Sequence, residues 1–130
     1  MYELFQLKGS FNADIGGWDV SKVTNMDSMF EGAYAFNQPI NKWDVSKVKS
    51  MALMFDGATA FNQAISSWVV SSVTNMGYMF YHATNFSQDL TTWCVVNVSY
   101  YVDFATASGL ITGQLPNWTL FNEPVTSCPA

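Results

Sequence analysis

Apolar and polar positions along this chain recur with a fixed period of 25 residues. Phe11, Phe36, Phe61 and Phe86 open successive copies, and Ile15, Ile40, Ile65 and Leu90 follow four residues later. Trp18, Trp43, Trp68 and Trp93 come next, then Val23, Val48, Val73 and Val98. Met26, Met51, Met76 and Tyr101 form a further column, as do Met29, Met54, Met79 and Phe104. No insertion separates the copies. The phase extends outward in both directions. Met1, Leu4 and Phe5 match Met51, Met54 and Phe55, while Ile111, Leu115 and Trp118 match Phe86, Leu90 and Trp93. The pattern divides a single domain into a half repeat (1–10), four full repeats (11–35, 36–60, 61–85, 86–110) and a degenerate closing cap (111–130) that carries Pro124 and Pro129.

One such unit cannot bury its own Phe, Ile, Trp, Val and Met, but stacked units can. The expected fold is therefore a repeat solenoid with coils at roughly the inter-strand spacing of about 4.8 Å. Within a coil the spacing predicts a short strand near Gln38 to Trp43 and a second extended piece at Val48 to Met51. Met51, Met54 and Phe55 then lie on one helical face, with Gly57 as the stop; Gly32 holds that column one coil earlier and His82 one coil later. One or two short strands and a short helical turn per 25 residues is a leucine-rich-repeat-like coil. The polar columns read as structural. Asn12, Asn37 and Asn62 (then Ser87), Ser21, Ser46 and Ser71, and Asn25, Ser50 and Asn75 supply partners for backbone groups in the bends.

Composition narrows the function. Half the residues are apolar (49%) and 16% are aromatic, which excludes a disordered chain. Only 12% are charged and the net charge is −5. That balance argues against nucleic acid and against an anionic membrane surface as partners. No apolar run is long enough for a transmembrane helix, so no membrane insertion is expected. The opening "MYELFQLKGS" lacks the features of an intact signal peptide, which leaves a cytosolic chain or a processed portion of a longer one. The two cysteines, Cys94 and Cys128, either form one bridge or remain buried thiols.

The text "FNQPI–W-DVSKV–M–MF-GA" resembles the 25-residue repeats of mycoplasma-type surface lipoproteins and BspA-like surface proteins. The residues that carry the resemblance are Phe36, Asn37, Gln38, Ile40, Trp43, Asp44, Val45, Ser46, Val48, Met51, Met54, Phe55, Gly57 and Ala58, with their equivalents in the other copies. The match runs from residue 1 to about 118. It implies a leucine-rich-repeat-like solenoid in an extracellular or cell-surface protein without catalytic activity, and adhesion or ligand binding as its role. Val69 and Cys94 depart from the Asp19 and Asp44 column, and Tyr101 from the Met column, as a capping end would.

Catalytic candidates are scarce. His82 is the one histidine, and no nucleophile, base and acid assemble around it in the text. No metal-ligand spacing, calcium ladder or glycine-rich phosphate loop is present, so neither metal nor cofactor is expected. Three sequons make Asn85, Asn97 and Asn117 candidate glycosylation sites. Tyr78, Tyr81, Tyr100 and Tyr101 form a candidate contact patch, and the variable columns Lys42/Ser67/Thr92, Lys49/Thr74/Ser99 and Tyr34/Thr59/Thr84 would decide what a flank binds. Two functions compete. One is a non-catalytic module that binds a protein or glycan at the cell surface. The other is a structural subunit that stacks head to tail into an extracellular, glycosylated fibril.

Overall fold

A computed structural model describes residues 1–120, 123, 124 and 128. Successive 25-residue windows lie on one another as layers, but the layers are built from turns. The strands and the helical turn expected of a leucine-rich-repeat-like solenoid are not there. Regular elements among the described residues are one 3-10 turn, Thr112–Gln114, and two short antiparallel strands, Thr119–Leu120 and Glu123–Pro124, all beyond the full repeats. The remainder of the expected cap lies outside the described residues.

The backbone hydrogen bonds explain the correction. In the segment expected to be helical, alternate N–H groups leave their own layer: Met26 donates to the Ser50 carbonyl, Ser28 to Ala52, Phe30 to Met54 and Gly32 to Asp56, at 2.8–3.0 Å. The intervening ones turn back three residues, Met29 to Met26, Glu31 to Ser28 and Ala33 to Phe30. A helix would send each N–H to its own chain four residues back, and none of these N–H groups does so. Nor can the segment be a strand, because two residues per layer are left-handed. Ser28, Leu53 and Tyr78 have φ of 56–58°, and Gly32, Gly57 and His82 have φ of 56–68°. Gly57 is thus one of a column of left-handed positions and not a helix stop. Extended pairing shrinks to one residue per layer, the parallel bridges Asn25–Ser50, Ser50–Asn75 and Asn75–Tyr100.

Stacking buries the repeated apolar columns. Met26, Met51 and Met76, Phe36, Phe61 and Phe86, and Ile40 and Ile65 have no exposed surface. Phenylalanine rings form two adjoining files. Phe30 and Phe36 stack at 4.1 Å within a layer, and Phe30 stays 5.5 Å from Phe55 in the next. Each fully buried ring contributes about 1.5–3 kcal/mol, with about 0.5–1.5 kcal/mol more for a well-placed ring pair. Trp43, Trp68 and Trp93 stand in single file at 6.4 Å, whereas Trp18 sits against Phe5 and is 44% exposed.

The polar columns are consumed by the stacking. The Asn37 side-chain oxygen accepts the Asn62 backbone N–H (3.0 Å) and the Gln63 amide (3.0 Å), and Asn12 and Asn62 do the same for the layers that follow them. Asp44 accepts both the hydroxyl and the backbone N–H of Ser46, as Asp19 does from Ser21 and Asp89 from Thr91. Among the described residues no buried side-chain nitrogen or oxygen lacks a partner.

Candidate binding face

With most polar columns engaged between layers, two regions among the described residues stand out as faces for a ligand. The first is a trough on one flank, with a volume of 340 Å³, which runs across layers from Leu7 to His82. It exists because Gly32 and Gly57 withdraw the side chain from a column that elsewhere carries Leu7 and His82. A Cβ on Gly57 would meet only Gly32 backbone at 3.9 Å, so the floor is open. Glu31 and Asp56 stand on one wall, Tyr34 and Thr59 on the other. Glu31 accepts a hydrogen bond from Gln6 Nε2 at 2.8 Å. Partial burial and the neighbouring Glu31 charge push the Asp56 carboxyl above its ordinary pKa, with His82 opposing. The trough offers acceptors along its length and an exposed aromatic ring at Tyr34, 57% exposed.

The four tyrosines of the candidate patch make different contacts. Tyr78 and Tyr81 meet edge to face at 5.5 Å, and Tyr81 lies 3.9 Å from His82 at one end of the trough. Tyr100 lies over Gly77 beside them. Burial, and then Asp103, Tyr100 and Tyr81, raise the Tyr78 hydroxyl above its ordinary pKa. Tyr101 shares a cleft with Tyr100, Val102 and Asp103. It stacks flat on Trp118 at 4.3 Å, at the end of the column. Trp118 therefore leaves the tryptophan file whose phase it keeps in the sequence.

The second region is the pair of ends. Ten large hydrophobic side chains are exposed among the described residues. Tyr2, Leu4, Leu7 and Trp18 lie at the first layer, and Tyr100, Tyr101, Val102 and Ile111 at the last; only Tyr34 and Val69 stand on the sides between. At the last layer a cleft of 380 Å³ opens beside Trp118.

Asn85, Asn97 and Asn117 are all exposed. Asn97 Nδ2 donates to the Ser71 carbonyl at 2.7 Å, so its amide is engaged where glycan transfer would need it free. Cys94 and Cys128 are brought together as a disulfide, with Cα atoms 4.7 Å apart. In the variable columns, Ser67 and Thr92 each reach a carbonyl in the layer before, as do Thr74 and Ser99. These hydroxyls serve the stack. Among the described residues, no group of three or more His, Cys, Asp or Glu is placed to hold a metal ion. Among the described residues no helix is long and apolar enough to cross a membrane.

The geometry defines a repeat protein of stacked, turn-built layers. Its family follows from comparison: a family model described as "Mycoplasma protein of unknown function, DUF285" matches residues 1–118, and the chain belongs to that family. No curated protein and no solved structure matches it.

Proposed function

We propose that this chain is a non-catalytic module of the cell surface or extracellular space, of the kind seen in BspA-like surface proteins, that binds a protein or glycan partner along one flank. The observation that supports this is the trough over Gly32 and Gly57, where Glu31, Asp56, Tyr34 and His82 converge. Its walls carry acceptors and an aromatic face, which suits a ligand rich in hydroxyl or amino donors. Glycan-array and surface-protein-array binding by the wild type and by a Tyr34→Ala/Asp56→Asn variant tests it. Loss of a wild-type signal in the variant is expected. A ligand held equally by both, or an array that yields no ligand, overturns the trough as the site. Exposed Asn85 and Asn117 fit an exported, glycosylated protein, and mass spectrometry after secretion from a glycosylating host reads their occupancy.

A second reading is favoured by a separate observation, the concentration of exposed apolar side chains at the two ends of the column. In it the chain is a structural subunit that self-associates end to end into a fibril. Light scattering over a concentration series, with negative-stain images, tests it. A mass that stays monomeric throughout removes it.

A further inference from the structure

The trough is a run of one repeat column. Leu7, Gly32, Gly57 and His82 stand 25 residues apart, one per layer, and share a left-handed backbone with φ of 56–68°. They differ only in side chain, so side chains set the length of the trough. Leu7 closes one end, since a Cβ added to Gly32 would meet its Cδ2 at 2.7 Å. His82 stands at the other end, its ring 3.9 Å from that of Tyr81. The glycine layers lie between them.

Both glycine layers carry a carboxylate on the same wall, Glu31 and then Asp56. Gln6 engages Glu31, whereas the Asp56 carboxyl has no hydrogen-bond partner among the described residues. No lysine among the described residues lines the trough. The wall therefore asks for one cation at Asp56 and one neutral donor at Glu31.

The step between layers decides what can supply both. Beside the trough it is 5.5 Å from Phe30 to Phe55 and 5.4 Å from Phe55 to Phe80. An extended peptide places same-face side chains about 6.4–6.8 Å apart, so it falls out of step. In an extended 1,4-linked sugar chain one pyranose ring and its linking oxygen advance by close to the layer step. Successive rings turn over, so an edge that shows an amine on one sugar shows a hydroxyl on the next. A pyranose also offers a C–H face to an aromatic ring, and Tyr34, 57% exposed, stands on the other wall.

We propose that the trough binds a linear 1,4-linked polysaccharide of amino sugars with free amino groups, one sugar per layer, its ammonium on Asp56 and a hydroxyl of the adjoining sugar on Glu31. The inference rests on the trough reading and names its ligand class. Burial and then Glu31 hold the Asp56 carboxyl above its ordinary pKa, and an ammonium beside it would oppose both.

Isothermal titration calorimetry with 1,4-linked glucosamine oligomers of increasing length tests this on the wild type, Asp56→Asn and His82→Gly, with circular dichroism to check that each folds. Wild-type affinity should rise from the monomer to the dimer and then level off. His82→Gly opens a further layer, so its plateau should move to the trimer. Asp56→Asn, or N-acetylation of the oligomer, should weaken binding about tenfold, and added salt should weaken the wild-type complex. A plateau that does not move in His82→Gly overturns the register. Equal binding by Asp56→Asn, or by a lysine oligomer of matched charge, overturns the ligand class. If no oligomer binds while an array ligand is still lost from Tyr34→Ala/Asp56→Asn, the trough stands as a site and the amino-sugar assignment falls; if the array yields no such ligand either, both fall.

Discussion

The indole N–H of Trp68 donates to the carbonyl oxygen of Ile40, 28 residues earlier, at 3.0 Å. Trp43 makes the same bond to Ile15, and Trp93 to Ile65. The tryptophan column is therefore both apolar filling and a latch between layers. Trp68→Ala should lower stability by about 3–5 kcal/mol. Trp68→Phe keeps most of the filling but leaves the Ile40 carbonyl without its donor, at about 1–3 kcal/mol. Trp18→Ala should be far milder, since Trp18 is 44% exposed. Urea unfolding followed by circular dichroism separates the three, and equal losses at Trp18 and Trp68 would contradict the latch.

The Asn37 side-chain oxygen receives two donors from the next layer, Asn62 N–H and Gln63 Nε2. Only acceptor chemistry is used, so Asn37→Asp should fold with stability equal to or above wild type. Asn37→Ala should lose about 0.5–1.5 kcal/mol. Thermal melts of the two variants read the difference, and a harmful Asp would mean that the amide nitrogen matters.

The Ser46 hydroxyl, and then its backbone N–H, favour the charged Asp44 carboxylate and hold its pKa below the ordinary value; Asp19 and Asp89 are held down in the same way by Ser21 and Thr91. A lowered folded value means that this stability is present above the unfolded pKa of about 3.9 and is lost as pH falls through the folded one. Asp56 has the opposite sign, because burial and Glu31 raise it. Its contribution is full below about pH 3.9 and is lost as pH rises through the raised folded value. Melting temperature against pH should therefore show a shallower acid loss in the Asp19→Asn/Asp44→Asn/Asp89→Asn variant. Asp56→Asn should be more stable than wild type at neutral pH and level with it in acid.

Gly57 has φ of +68° with no steric neighbour closer than 3.9 Å to an added Cβ, and His82 sits in the same column at φ of 56°. The cost of a side chain here is conformational. Gly57→Ala should lose about 1–2 kcal/mol, and His82→Gly should gain by relief of the same strain. Chemical denaturation measures both, and a neutral Gly57→Ala would place the backbone outside the left-handed region.

The 25-residue spacing by itself determined which side chains go inside. Phe36, Ile40, Trp43, Val48, Met51 and Met54 are all buried to 4% exposure or less, because identical apolar side chains at a fixed period can leave water only against their own copies. The structural use of the asparagine columns was legible for the same reason. The conformation of the backbone between those side chains was not. Met51, Met54 and Phe55 have helical spacing, yet the segment is a run of turns. The left-handed residue within it is Ser28, Leu53 or Tyr78, none of them glycine. Nothing in those residue types announces a positive φ. It goes with a backbone whose alternate N–H groups, Leu53 to Gly77 among them, bond the next layer. The tertiary structure alone also decided that Tyr101 stacks on Trp118 and that the glycine pair opens a trough. Side-chain period is a property of one chain segment, whereas the direction of a hydrogen bond between layers exists only once both layers are in place.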